Sequence, residues 1–463
     1  MKSRDMIQIG IPKNLLKLAQ RTLMTARQQG VKKRALPDLL ASVYAKPEAY
    51  LNDPLADELA AALVKYKDST EHFVARETPA PYRQWGIDLD PQSVQQMHNA
   101  CDLPIAVQGA LMPDAHLGYG LPIGGVLATR GAVIPYAVGV DIACRVKLSV
   151  IDMPTESLKK ATETLKSALV GETRFGIGAH FKQRRHHDVL DRDWSVTPTT
   201  MRLKDKAWSQ LGSSGSGNHF AEYGIFKVDH DELGIPAGKY LALLSHSGSR
   251  GAGAAVCQEY SKRAMRQHPG LPKALKHLAW LDLDSEDGQE YWAAMSLMGD
   301  YAAANHACIH RHIVGALGAE VLLDVENHHN FAWKEVHNGE ELVVHRKGAT
   351  PAGMGVLGII PGTMATPAYV VRGLGVAESL NSAAHGAGRV MSRTKAHKTL
   401  HWADAKAFLK ERGVTLLSAG LDEVPAVYKD INAVMAAQSD LVEPLAQFQP
   451  KLVRMADGGP AED

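Results

Sequence analysis

His385 lies in the stretch Asn381-Ser-Ala-Ala-His385-Gly-Ala-Gly-Arg389, ahead of nearly bare backbone. Gly386 and Gly388 leave peptide N–H groups unobstructed by side chains, and Arg389 adds a planar, permanently charged fork. That setting suits an imidazole working beside phosphate, as acid, ligand or nucleophile. Gly-Ala-Gly is also an ordinary turn sequence, so the weight of the motif depends on what accompanies it.

The accompanying residues have the types that bind metal. Asp141-Ile-Ala-Cys144 offers a carboxylate and a thiol three residues apart, just after the apolar Val138-Gly-Val140. A thiolate with carboxylate and imidazole partners suits a borderline divalent ion such as Zn²⁺ or Mn²⁺. Three histidines have similar settings. His219 follows Gly-Ser-Gly-Asn218, His246 ends the apolar run Leu-Ala-Leu-Leu-Ser, and His329 follows Asp324-Val-Glu-Asn-His328. Each sits in or beside a loop of small or polar residues, where functional side chains tend to be displayed. With Asp141 and Cys144 they supply enough donors for two metals sharing one thiolate. His186, His187, His310 and His312 lie in charged or helical contexts and are read as solvated. His116, in Met112-Pro-Asp114-Ala-His116-Leu-Gly-Tyr-Gly120, is intermediate, and Asp114 is placed to orient a ligand.

The elements that must position these groups follow from periodicity and punctuation. Residues 12–77 read as helical, with Leu15, Leu16, Leu18 and Leu23 near helical spacing and Leu59, Leu63 and Tyr66 marking a second amphipathic run. Pro79-Ala-Pro81 marks a boundary. From 105 to 150, short apolar runs punctuated by Gly and Pro read as strands and tight loops. The His/Arg-rich stretch 179–210 reads as an exposed insertion. A Gly/Ser loop at 212–217, a strand at 240–245, a second Gly/Ser loop at 247–253, a helix over 288–316 and a strand at 320–325 follow. A loop-rich stretch at 345–368 precedes the apolar run Tyr369–Val371, and 459–463 is expected to fray.

Bulk properties exclude several classes. The 463 residues are 45% hydrophobic and 22% charged, the composition of a soluble globular protein. No apolar run of about eighteen residues is present, and the first residues lack a signal-peptide apolar region, so a cytoplasmic location without membrane is expected. Four cysteines do not make a disulfide framework in so long a chain. A net charge of +1 gives no global basic field, leaving nucleic acid to local patches such as Lys32-Lys33-Arg34 and Lys182–His187.

Several segments resemble the RtcB family of RNA-splicing ligases. They are Pro113–Gly120, Val138–Cys144, Leu211–His219, His246–Gly251, Asp324–Asn330, Val344–Thr350, Pro361–Met364, His385–Arg393 and, more weakly, Tyr428–Ile431. They run in family order through most of the chain. The resemblance implies an α+β, compact single-domain fold with mixed sheets around a central metal and nucleotide cleft. It implies a catalytic domain over 101–458, with the helical region over 1–100, atypical of the family, expected to pack on that core.

It further implies a ligase that joins an RNA 3′-phosphate, or 2′,3′-cyclic phosphate, to a 5′-hydroxyl with two Mn²⁺ and GTP, in splicing or repair. By position, Asp141, Cys144 and His219 would hold one Mn²⁺, and Cys144, His246 and His329 the other. His385 would carry GMP as a phosphoramidate. The nucleotide pocket would draw on Asn218, His219, Glu222, His329 and Asn330, on the loop Pro361, Gly362, Thr363 and Met364, and on His385, Gly386, Ala387, Gly388 and Arg389. An activating protein partner is left open.

The chain departs from the family pattern in several places. Ala143 and Arg145 flank the cysteine where the family usually has Gly, and Thr363 and Ala368 replace common serines. The family's terminal Val-Lys-Gly, whose lysine contacts guanine, has no direct counterpart, leaving Lys451 and Arg454 as substitutes. Two other readings stay open: a two-metal phosphodiesterase or cyclic phosphatase without ligation, and a non-catalytic RNA- or ribosome-associated factor.

Overall fold

The computed structural model describes residues 1–463 apart from 2, 13, 14, 72, 74 and 459–463. The tail expected to fray, 459–463, therefore lies outside the described residues. Two compact units are present, Met1–Val74 with Arg266–Pro272, and Ala75–Met265 with Lys273–Asp463.

The smaller unit contains the helices Ser3–Ile9, Leu16–Gln28, Leu36–Ala45 and Asp57–Glu71. Ala19, Leu23 and Ala26 recur at four and three residues, as do Leu36, Leu40 and Val43, so each helix turns one apolar face inward. Met6, Leu59 and Leu63 complete that core.

The larger unit mixes helix and sheet, and the α+β class is borne out. One five-stranded sheet runs in the order Tyr82–Gln84, Ala106–His116, Ile123–Thr129, Glu340–Lys347, Asn330–His337. A larger sheet runs Leu357–Ile360, Ala368–Gly373, Val442–Met455, Phe220–Val228, Gly238–Ser247, Arg145–Ile151, Val321–His328, with Thr415–Ser418 added in parallel to Val442–Met455. The strand Arg145-Val-Lys-Leu-Ser-Val-Ile151, next to last in that order, is buried throughout, and its side chains alternate between faces. Val146, Leu148 and Val150 pack with Phe226, Leu244 and Phe448 on one face. Ile151, Tyr223, Leu241 and Leu243 on the other meet Ile309 and Ile313 of the helix Glu286–Leu317. That helix starts at a Ser285 cap and stops at Gly318 in a left-handed turn.

His329 is the single residue between Val321–His328 in the larger sheet and Asn330–His337 in the smaller one. Its N–H donates to the Cys144 carbonyl at 3.0 Å, and its own carbonyl accepts from Ala349 N–H at 3.2 Å. The crossing point of the sheets is thereby tied to the start of the strand Arg145–Ile151.

Three expectations are corrected. Residues 179–210 are not an exposed insertion: Arg185, Val189, Leu190, Trp194, Thr197 and Ala207 are buried, and Pro198–Gln210 is a helix with a Thr197–Thr200 capping box. Arg185 pairs with Glu172 and the indole of Trp194 donates to the Val189 carbonyl, which is how so polar a stretch packs. The loop expected over 247–253 is largely helix, since Arg250–Gln267 begins there. His310 is buried rather than solvated, bonded through its two ring nitrogens to Ser149 and Ser245. Among the described residues, no helix is long and apolar enough to cross a membrane.

Candidate active site and metal centre

The five expected ligands come together, each from the end of a strand or a loop beside one. Cys144 immediately precedes Arg145–Ile151, His219 precedes Phe220–Val228, and His246 lies at the end of Gly238–Ser247. The register pairs His246 with both Val146 and Phe220, so adjacent strands deliver the thiol and two imidazoles to one sheet end. Asp141 arrives from the loop after the short helix Pro135–Val138.

Two groups of three result. Asp141, Cys144 and His219 have ligand atoms within 4.8 Å of one another, as do Cys144, His246 and His329. Cys144 Sγ lies 3.4 Å from His219 Nε2 and 3.0 Å from His246 Nε2. Asp141 Oδ2 faces His219 Nε2 at 3.2 Å, and His246 Nε2 faces His329 Nε2 at 3.3 Å. The far side of each ring is held: His219 Nδ1 contacts the Ser214 carbonyl at 2.8 Å, and His246 Nδ1 the Asn218 carbonyl at 3.3 Å. A carbonyl accepts only from N–H, so both rings keep the proton on Nδ1 and turn a lone pair on Nε2 toward the sulfur.

Electrostatics agree with that placement. Burial, joined by the neighbouring His219 and His385, lowers His246 to about 3, and His329 is also held well below the ordinary histidine value. Burial works to raise the Asp141 carboxyl, but contact with His219 and the charge of Arg250 hold it below the usual carboxylate range. Its Oδ1 accepts from the N–H and hydroxyl of Ser249, while the buried Oδ2 has no hydrogen-bond donor. Neutral imidazoles facing each other, a thiol, and a carboxylate oxygen left without a donor are the features that a cation would satisfy. The donor chemistry of both groups suits a divalent cation, and Cys144 is common to the two.

His385 belongs to neither group, although its ring lies 4.9 Å from that of His329. Asp114 holds it. Fully buried, Asp114 takes three bonds at Oδ2, from His385 Nδ1 at 2.7 Å, His385 N–H at 3.1 Å and Gly386 N–H at 3.3 Å. Nε2 is left for the cleft. The loop comes this close because Gly388, at φ 71°, lies against the Asp114 carbonyl, where a Cβ would fall 2.0 Å from oxygen. Sequence reasoning placed Asp114 as an orienting group without finding its partner, which lies 271 residues downstream.

A cleft of about 1120 Å³ surrounds these groups and is lined by the five metal-type ligands and by every residue expected in the nucleotide pocket. The individual roles differ. Asn330 is partly structural, accepting from Gly348 N–H at 2.8 Å and donating to the Asp141 carbonyl at 3.3 Å. Thr363 is locked to Thr366 through its N–H at 2.8 Å and its hydroxyl at 3.0 Å, shaping the loop Pro361–Met364. Arg389 is not a free phosphate fork: its guanidinium donates to Glu423 at 3.3 Å and to the Asp422 carbonyl at 2.8 Å. Glu222 is buried with no compensating partner among the described residues, and burial pushes its carboxyl well above the ordinary value. Lys347, which the sequence reading quoted only within a motif, also lines the cleft, and burial lowers its amine to about 8.

The candidate guanine-reading replacements are elsewhere. Lys451 donates to the Arg412 carbonyl at 3.0 Å, and Arg454 caps the end of the helix Thr162–Glu172 through Leu169 and Val170 carbonyls, both at 3.0 Å. Neither lines the cleft.

Comparison with known proteins bears on this arrangement. The RtcB profile, described as tRNA-splicing ligase RtcB, matches residues 96–456. The RNA-splicing ligase RtcB of Escherichia coli strain K12 is 34% identical over 396 residues, covering 79% of this chain and 94% of that protein. The RNA-splicing ligase RtcB of Mycobacterium tuberculosis is 31% identical over 432 residues, covering 77% and 98%. The tRNA-splicing ligase RtcB of Archaeoglobus fulgidus is 31% identical over 417 residues, covering 74% and 86%.

Proposed function

The chain belongs to the RtcB family of RNA-splicing ligases, and from that premise we propose that it joins RNA ends through a GMP adduct on His385. The substrates are an RNA with a 3′-phosphate or 2′,3′-cyclic phosphate, a second end bearing a 5′-hydroxyl, and GTP. The observation that carries this reading is the Asp114–His385 pair at 2.7 Å, standing beside the metal-type cluster without belonging to it. A two-metal phosphodiesterase needs the cluster alone and has no use for a second, carboxylate-braced histidine facing the same cleft.

The chemistry assigns roles as follows. Asp114 keeps the proton on His385 Nδ1, so that the Nε2 lone pair attacks the α-phosphorus of GTP. An N–P bond forms, the α–β P–O bond breaks, and pyrophosphate leaves. The imidazole gains positive charge, which the buried Asp114 carboxylate stabilises. An oxygen of the RNA 3′-phosphate then displaces His385 from phosphorus, regenerating the imidazole and capping the end with GMP. Attack by the 5′-hydroxyl on the capped phosphate releases GMP and closes the phosphodiester. A cyclic phosphate first needs hydrolysis to the 3′-phosphate.

Asp141, Cys144 and His219 are suited to hold one Mn²⁺, and Cys144, His246 and His329 the other, the choice of Mn²⁺ over Zn²⁺ resting on family membership. Bound there, the ions would neutralise phosphate charge and lower the barrier to in-line displacement. Glu222 is our candidate for reading guanine. Its buried carboxyl has no partner among the described residues, and guanine presents adjacent N1–H and N2–H donors where adenine does not.

Intact-mass measurement after incubation with Mn²⁺ and each common nucleoside triphosphate tests the proposal. A GMP-sized increment from GTP that is absent in His385→Ala is expected. An adduct that survives that substitution overturns it.

A further inference from the structure

Tyr119 is an exposed aromatic that the fold takes trouble to hold in place. It sits in the loop between the strands Ala106–His116 and Ile123–Thr129, lines the cleft, and is 59% exposed. The loop beneath it is fixed: the side-chain amide of Gln96 donates to the Gly118 carbonyl at 2.6 Å and accepts from Gly118 N–H at 3.0 Å. Lys347 Nζ donates to the Tyr119 carbonyl itself at 2.5 Å. The ring is steadied by Tyr136 and His277, with centroids at 6.4 Å and 5.7 Å. Its hydroxyl has no hydrogen-bond partner among the described residues. Leaving so much of a large ring in water forgoes stabilisation, and rigid bracing removes the entropy it would lose on binding. Both features suit a surface that something else covers.

The neighbours indicate what that is. Lys347 joins the tyrosine to the reacting centre, because the next residue, Gly348, lies against His385, where a Cβ would come within 3.1 Å of the imidazole Cε1. A nucleic-acid end in the cleft has a phosphate to offer the amine and a flat base to offer the ring. Aromatic platforms bind bases of any sequence because every base has a π-face.

We propose that Tyr119 is the stacking platform for the terminal base of the RNA entering the cleft, with Lys347 beside it for the phosphate; this rests on the ligase reading above. Tyr119 then positions the RNA end without taking part in nucleotide transfer to His385.

The test is steady-state ligation by Tyr119→Ala, Tyr119→Phe and wild type, alongside intact-mass measurement of the GTP adduct. Tyr119→Ala should raise KM for RNA about five- to 150-fold, the range for loss of one base–aromatic stack. It should leave kcat at saturating RNA and adduct formation unchanged, and Tyr119→Phe should behave as wild type. RNAs abasic at the terminal 3′ or the terminal 5′ nucleotide identify the end. On the end that stacks, wild type should lose the same factor and Tyr119→Ala no more. An unchanged KM in Tyr119→Ala, or a penalty that persists on both abasic RNAs, overturns the proposal. Should wild type form no adduct, the ligase reading fails, while fluorescence anisotropy of end-labelled RNA still decides stacking: a weakened Tyr119→Ala supports it and equal binding refutes it.

Discussion

Replacing Asp114 by asparagine isolates what its charge does for His385. Oδ2 receives three N–H donors, whereas Oδ1 is buried with no partner. Asparagine should therefore place its carbonyl oxygen at the Oδ2 position and its amide nitrogen at Oδ1. The Nδ1–H tautomer and ring orientation survive, and the lost quantity is the charge that stabilises the imidazole as it becomes cationic. A bond to a charged group contributes about 1.5–3 kcal/mol against about 0.5–1.5 for a neutral one, a difference of about 1–1.5 kcal/mol, or about five- to 12-fold in rate. Alanine removes the acceptor altogether, freeing the tautomer, and the loss should rise to about 10³–10⁴, as when an orienting carboxylate fails in a catalytic triad. The assay is single-turnover adduct formation with GTP and Mn²⁺ followed by intact mass, with near-ultraviolet circular dichroism to verify folding. A Asp114→Asn rate within threefold of wild type would falsify the argument, as would equal losses for the two variants.

Other perturbations probe separate parts of the structure. Glu222→Gln should reduce the preference for GTP over ATP about five- to 12-fold in competitive adduct formation, since a charged acceptor for guanine is replaced by a neutral amide; an unaltered ratio removes Glu222 from that role. Lys347 is charged in both states below pH 8, and burial makes that charge costly in the fold. Between about 8 and its ordinary 10.5 the unfolded chain keeps a proton that the native state has released, so stability is gained as pH rises through this window. The gain is about 3 kcal/mol at most. Denaturant titrations should show Lys347→Met lacking this rise relative to wild type, and parallel pH curves would refute it. Ala143 occupies left-handed backbone at φ 57°. Ala143→Gly should stabilise by about 0.5–1 kcal/mol, the relief of that strain less the extra chain entropy of glycine. An unchanged denaturation midpoint would show the strain to be absent.

The residues that meet in the candidate site were largely legible in local sequence, because loops that display functional side chains have local signatures. Small residues around His219, His246 and His385 are needed wherever backbone must pass close to a reacting group, and they stand out in a chain read one residue at a time. Helices with apolar residues at three- and four-residue spacing were equally readable, as in the segments holding Leu23 and Leu59. The stretch 179–210 was misread because its polarity is satisfied internally, by Arg185 on Glu172 and by the Thr197 capping box. Composition reports polarity but not whether a partner exists. His310 misled for the same reason, its two serine partners lying on strands distant in sequence from its helix.

By itself, then, the sequence determined which side chains were available for chemistry and the short-range geometry that exposes them. Pairing across the chain was decided only by tertiary structure. The fold set Asp114 against His385, carried His329 to the crossing point of two sheets, spent Arg389 on Glu423 and turned Lys451 and Arg454 away from the cleft. Each of these depends on residues tens to hundreds of positions apart, and such contacts are fixed by strand register and core packing, which leave no local trace.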